Sequence, residues 1–273
     1  MIKIRNSPSI ALVPGLLCGK ESTVRRSIPA DYHSLKPFEE LFHTGVPILM
    51  YHKIAPRPSR VRLKGLYVNP ATFEQQLAEL RQAGFLSCTV AQARTHDAPN
   101  RRLTLTFDDG FRNVFENASR PLAENNFRAI QFLVADFIGK INQWDLRDGE
   151  APEVLMDAFQ IREWLGAGHQ IGSHSMNHHY LTRLTLRDAR EEIFASKKKL
   201  EDTFGVAVED FSYPYGEWNP AVRDLVMEAG YRSACTTEFG VNTPATPPFA
   251  LCRITVRYPS RSLKSLKARL FDS

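Results

Sequence analysis

Leu103-Thr104-Leu105-Thr106-Phe107-Asp108-Asp109-Gly110 sets apolar residues alternating with β-branched threonines and then stops at two carboxylates and a glycine. The alternation is that of a buried strand. A helical pattern follows from about Val114 to Asn125, with a break expected near Pro121. In a β/α protein this order puts Asp108 and Asp109 at the carboxyl end of a strand, where such folds collect ligands and catalytic groups. Two neighbouring acids at that place repel unless a cation or a proton divides their duties.

Outward from this run, strand and helix patterns alternate. Val46-Pro47-Ile48-Leu49-Met50-Tyr51-His52 is an apolar strand ending in a histidine, and residues 53–68 read as a basic, proline-containing loop. Asn69 caps a helix opened by Pro70, with Phe73, Leu77 and Leu80 on its apolar face. Gly84 ends that helix, and Phe85 to Cys88 reads as a short strand. On the other side come a strand at Ala129–Val134 and a polar surface loop at Gly139–Gly149. A helix at Asp157–Ala167 and a strand at His169–Ser173 follow. Thr185 caps a long helix to Phe204, Phe211–Tyr213 is a strand, and Pro220 opens a helix closing at Gly230. Tyr231–Cys235 and Leu251–Val256 read as the last strands. Such alternation implies one α/β domain on a parallel sheet, either a barrel or doubly wound. The expected layout is an extension over 1–45, a catalytic domain over 46–258 and a tail over 259–273.

Composition narrows the class. The chain has 273 residues, 43% hydrophobic and 24% charged, with a formal net charge of +5. That is an ordinary globular balance, and the mild excess of base supports no nucleic-acid role. Lys197-Lys198-Lys199 follows Glu191-Glu192 on a helical pattern and reads as a solvated face. The four cysteines form no CxxC pair, which excludes a cysteine zinc site and offers no disulfide framework. No run reaches transmembrane length. The apolar start is broken by Pro14-Gly15 and lacks the uninterrupted core of a signal peptide, so a cytoplasmic location is expected rather than export.

Three strand ends carry chemistry: Asp108-Asp109, His174-xxx-His178 and the turn Pro214-Tyr215-Gly216. Two imidazoles and a carboxylate with open positions are a catalytic metal set, suited to zinc, iron, nickel or cobalt. His174 and His178 can meet one ion, and Asp109 can complete the set from the neighbouring strand end. Asp108 is then left free as general base on a water held by the metal. Each piece alone has an ordinary structural reading, a buried histidine network or a capped turn. Their joint placement at strand ends of one fold favours the site.

Thr106-Phe107-Asp108-Asp109-Gly110, His174-Ser175-Met176-Asn177-His178 and Tyr213-Pro214-Tyr215-Gly216 resemble the first three motifs of the polysaccharide deacetylases, carbohydrate esterase family 4. The resemblance spans about residues 46–258. Pro47–His52 and Phe211–Gly216 look most like the branch that contains poly-N-acetylglucosamine deacetylases. The resemblance implies a distorted (β/α) barrel of about seven parallel strands. It also implies divalent-metal removal of N-acetyl groups from amino-sugar polymers, with Zn expected and Co, Ni or Mn as alternatives. By residue, Asp108 resembles the catalytic base, and Asp109, His174 and His178 the metal ligands. Ser175 resembles the residue that steadies the histidine loop. The backbone N–H of Tyr215 is the implied oxyanion donor, and Pro214, Tyr215 and Trp218 line the substrate side.

The chain departs from the pattern twice. Ser212 stands where the third motif usually carries the arginine that orients the base, and Arg253 on the late strand is the expected replacement. No histidine follows His179, so the family's late Leu-x-His acid is missing, and His52 is the substitute candidate. His169 and His179 read as packing or loop residues. Trp144 and Trp218 stand on loops as either sugar-stacking faces or packed anchors, and Trp164 as core.

Overall fold

Seven strands pair side by side, all parallel, in a sheet curled into a half-barrel. The computed structural model describes residues 39–59, 61–94, 101–146 and 150–256. Most of the expected extension and the whole expected tail lie outside the described residues. In chain order the elements are α1 (Glu39–Phe42), β1 (Ile48–Tyr51), β2 (Lys53–Ile54), β3 (Tyr67–Val68) and α2 (Pro70–Gln82). Next come β4 (Leu86–Ser87), β5 (Arg102–Phe107), α3 (Arg112–Glu124), β6 (Ala129–Leu133) and α4 (Gln143–Leu146). The chain continues through α5 (Ala158–Gly166), β7 (Gln170–Ser173), α6 (Leu186–Phe204), β8 (Asp210–Ser212), α7 (Pro220–Glu228), β9 (Ser233–Cys235) and β10 (Ile254–Thr255).

The sheet order is β10-β1-β5-β6-β7-β8-β9, with β4 added beside β5. A parallel bridge from Cys235 to Leu251 carries the free edge of β9 toward the segment that leads into β10, which narrows the gap in the barrel. This is the distorted (β/α) barrel that the motifs implied. Register sets the height of the site. Tyr51 lies opposite Phe107, so His52 and Asp108 leave adjacent strands at one level.

The alternation along β5 explains both layers of the core. Leu103, Leu105 and Phe107 face the helices, and Phe107 meets the rings of Tyr51, Phe73 and Trp164 at 5.5, 5.8 and 6.0 Å. Burying one such ring contributes about 2–3 kcal/mol. The intervening threonines are buried, and their hydroxyls are satisfied by carbonyls: Thr104 bonds Cys88 O at 3.1 Å and Thr106 bonds Leu49 O at 3.0 Å. A second apolar cluster, built around Ile48, Ile130, Phe132 and Leu251, joins the other sides of these strands.

The helix starts follow their caps. Asn69 accepts from Ala71 N ahead of Pro70, and Asp157 and Gln160 form a capping box. Thr185 accepts from Asp188 N, and α6 stops at Gly205 with φ 68°. Four expectations are corrected. The helix α3 runs unbroken through Pro121, whose buried ring packs on the core near the helix end, so only one late donor is lost. Residues 53–68 are not merely a loop, because β2 and β3 pair in parallel and bury Lys53 and Tyr67. The polar stretch at 139–149 contains α4 and buries Asn142 and Asp145, whose polar groups are paired locally. Cys88 and Cys235 are free and buried, whereas Cys252 is disulfide-bonded to a partner outside the described residues, against the expectation of no cross-link.

Asp210 starts β8, at the end of that strand opposite the motif residues. Burial pushes its pKa up to about 6, although Ser233 donates to its Oδ1 at 2.5 Å. The folded value exceeds the ordinary unfolded one, so the native state is favoured while the group is protonated, and this contribution is lost as pH rises toward 6. Asp210→Asn keeps an acceptor for Ser233 without the charge. Urea unfolding is expected to show the variant gaining over the native chain between about pH 4 and pH 6, and then holding a lead of up to about 3 kcal/mol. A lead that does not change with pH would rule this out.

Candidate active site

The turn after β5 is sharp because two successive residues are left-handed, Asp109 at φ 77° and Gly110 at φ 85°. Aspartate tolerates that region better than most residues, and a Cβ on Gly110 would also press on Leu133 at 3.0 Å. Five non-glycine residues among those described have positive φ: Asp109, Asn126, Ser175, His178 and Tyr215. Four of these belong to the three motifs, so backbone strain is gathered where the chemistry is expected.

Asp108 is buried against a guanidinium. Arg253 donates from Nη1 to Asp108 Oδ1 and from Nη2 to Oδ2, both at 2.8 Å. Its other donors go to Thr236 O at 2.7 Å, Ser212 Oγ at 3.0 Å and Thr106 Oγ1 at 3.3 Å. An arginine has five N–H donors, and all five are directed here. Burial alone would raise the Asp108 pKa, but the Arg253 charge, then His174, hold the carboxyl well below the usual range. Ser212 leaves room for a guanidinium that enters from the late segment, and its hydroxyl also approaches Asp108 Oδ2 at 3.4 Å.

Asp109 faces the other way. Its Oδ1 is 3.5 Å from His174 Nε2 and 3.3 Å from His178 Nε2, all three residues being buried. No hydrogen bond reaches that oxygen among the described residues. Burial raises the carboxyl and lowers both imidazoles, His178 to about 4, so the rings are neutral near pH 7 and present lone pairs. Two neutral imidazole nitrogens and an unbonded carboxylate oxygen aimed at one point are the donor set of a divalent cation. The residues fit such an ion.

The histidine loop is held from below. His174 Nδ1 lies 2.7 Å from Ser212 O, as a donor to that carbonyl. Ser175 Oγ accepts from His178 N at 3.0 Å. Glu192 of α6, itself buried, accepts from Met176 N, Asn177 N and Asn177 Nδ2 at 3.1, 2.8 and 2.8 Å, and meets His179 Nδ1 at 3.1 Å. That anchor escaped the sequence reading, in which Glu192 was one acid of a solvated helix face. The turn after β8 puts Pro214 inside and Tyr215 at φ 60°, stacked flat on Tyr180 at 3.6 Å.

His52 is partly buried and interacts electrostatically with Asp109, Asp108 and His174. Burial lowers its pKa, while the two carboxylates oppose that shift. Next to it, Lys53 is fully buried between the rings of Phe111 and Tyr67, at 4.5 and 4.8 Å, and its charge favours the ionised forms of Asp109 and Asp145. Asp145 is buried beside Asn142, and its pKa is raised to about 6 by burial and by Asp109. Neither Lys53 nor Asp145 was singled out from sequence. A lysine directly after a strand-ending histidine was the only available signal. Trp218 packs on Tyr213 and the core rather than standing free, and His169 stacks on Trp164 at 4.1 Å.

The family model for polysaccharide deacetylases matches residues 95–234, just over half of the chain. The chain belongs to the polysaccharide deacetylase family. It is 28% identical over 216 residues to YxkH of Bacillus subtilis, a polysaccharide deacetylase by name, covering 77% of this chain and 71% of the relative. A polysaccharide deacetylase from Bacillus cereus has the same fold, with a TM-score of 0.67 and 26% identity over 82% of this chain and 68% of that one. The poly-β-1,6-N-acetyl-D-glucosamine N-deacetylase of Staphylococcus aureus is 22% identical, covering 72% of this chain and 70% of its own. No helix among the described residues is long and apolar enough to cross a membrane.

Proposed function

We propose that the chain is a metal-dependent hydrolase that removes N-acetyl groups from an N-acetylglucosamine-containing polysaccharide or its precursor. One observation carries the reading: a buried carboxylate clamped by Arg253 stands directly beside a separate Asp109–His174–His178 set. Two adjacent acids thus have different electrostatic surroundings, and so different duties. Membership of the deacetylase family and the relative named for poly-β-1,6-N-acetyl-D-glucosamine support the substrate class.

Asp109, His174 and His178 would hold a divalent ion, zinc in first place, which supplies Lewis acidity at the amide carbonyl and lowers the pKa of water. Asp108 takes the proton of the attacking water. Arg253 keeps that carboxylate ionised and fixes its plane, so the base is ready well below neutral pH. The backbone N–H of Tyr215, in its strained turn, donates to the developing oxyanion. His52, neutral because burial lowers its pKa, relays the proton taken up by Asp108 to the departing amine, so the base is regenerated as the C–N bond breaks.

The test is acetate release from β-1,4- and β-1,6-linked N-acetylglucosamine oligomers by protein stripped of metal and reloaded with zinc, cobalt, nickel or manganese. Release restored by metal is expected, with a preference for one linkage. Bound metal without release from either oligomer would reject this substrate class. Small amides and acetyl esters would then be the substrates to try.

A further inference from the structure

The two metal-facing histidines are held by different physics. His174 is oriented by a hydrogen bond, Nδ1 to Ser212 O at 2.7 Å. Metal-binding histidines nearly always use their second nitrogen in this way. For His178, Nδ1 is buried and has no acceptor among the described residues beyond its own backbone carbonyl. Its ring is in contact with two aromatic neighbours instead. Trp144 is nearly parallel to it, with centroids 4.7 Å apart and planes at 23°. Tyr215 meets it edgewise at 4.6 Å and 68°.

Both neighbours are backed. The edge of Phe137 meets Trp144 at 5.1 Å. Behind Tyr215 stands Tyr180 at 3.6 Å, then the Arg183 guanidinium 3.8 Å from the Tyr180 ring, which Glu217 ties down at 3.0 Å. The short helix α4 that carries Trp144 is pinned by buried Asn142, which donates to Asp145 Oδ2 at 2.9 Å and accepts from Glu153 N at 2.7 Å. His178 also sits in the left-handed region, at φ 61°.

We infer that Trp144 is a positioning residue for the metal ligand His178: its indole face, with the edgewise contact of Tyr215, sets the ring plane that a hydrogen bond sets for His174. The inference rests on the metal-site reading above. It also assigns Trp144, one of two loop tryptophans with open alternatives, to the ligand and not to a sugar ring.

The test uses the full-length chain with Trp144→Phe and Trp144→Leu. The two side chains are similar in bulk, but only phenylalanine offers a flat face. Zinc affinity is read by competition with a chelator, the ligand field by the absorption of the cobalt-loaded protein, and folding by the melting of the metal-free protein. The Phe protein is expected to bind zinc within about threefold of the native chain. The Leu protein should bind about tenfold more weakly with a changed cobalt spectrum, while both melt alike without metal. Equal zinc affinity of the two variants, both tight or both weak, overturns the inference. A native chain that takes no zinc overturns the metal site along with it, so the two failures are told apart.

Discussion

Asp108→Asn is expected to keep its zinc and lose turnover by about 10³-fold. An amide in that place still accepts one hydrogen bond from Arg253 but cannot take a proton from water. The same change leaves a fully buried guanidinium whose remaining acceptors, Thr236 O, Ser212 Oγ and Thr106 Oγ1, are all neutral. Breaking a buried pair from one side costs about 3–5 kcal/mol, so the melting temperature should fall markedly as well. Turnover must therefore be expressed per folded molecule, with zinc stoichiometry measured on the same sample. Retention of more than about a tenth of native turnover would remove Asp108 from the role of base.

His174→Ala and Asp109→Ala should behave in the opposite way. Each removes one of three donors, and zinc affinity is expected to fall at least about 100-fold, with activity disappearing in the same titration. Excess zinc should recover part of the activity in both proteins. Metal-free stability separates Asp109 from its neighbour. The Asp109 carboxyl is buried, raised in pKa and without a hydrogen bond at Oδ1, so Asp109→Asn, which tolerates φ 77° as aspartate does, should not destabilise the metal-free chain, whereas alanine adds backbone strain there. Native zinc affinity in either variant would contradict the ligand assignment.

Much of this was legible from the chain because the decisive residues sit where a local pattern ends. Leu103–Phe107 has strand periodicity, and the two acids and glycine that follow stop it, so their place at a strand end needed no tertiary information. Caps at Asn69 and Thr185 are equally local. Arg253 was reachable because Ser212 left a vacancy for a guanidinium and a late strand offered one. The supports of the site were not legible. Glu192, Lys53, Asp145 and Tyr180 act through neighbours distant in sequence, and nothing in their own segments marks them. A helical face with charges in sequence looks the same whether or not one of those charges turns inward to hold a loop. Pro121 failed as a break signal for a related reason: propensity yields when a buried ring and the preceding turns hold the helix in place.

The guanidinium of Arg253 has a consequence for how the protein is made. Every motif residue, from Asp108 to Tyr215, leaves the ribosome well before Arg253 does, and the family match itself ends at residue 234. Until that segment is in place, Asp108 lacks the guanidinium that holds its carboxyl ionised. Competence therefore arrives only when the segment before β10 docks beside β1. The late arginine makes the proposed hydrolysis conditional on the segment that carries it, and a fragment ending at residue 234 is expected to fail in turnover even when loaded with zinc.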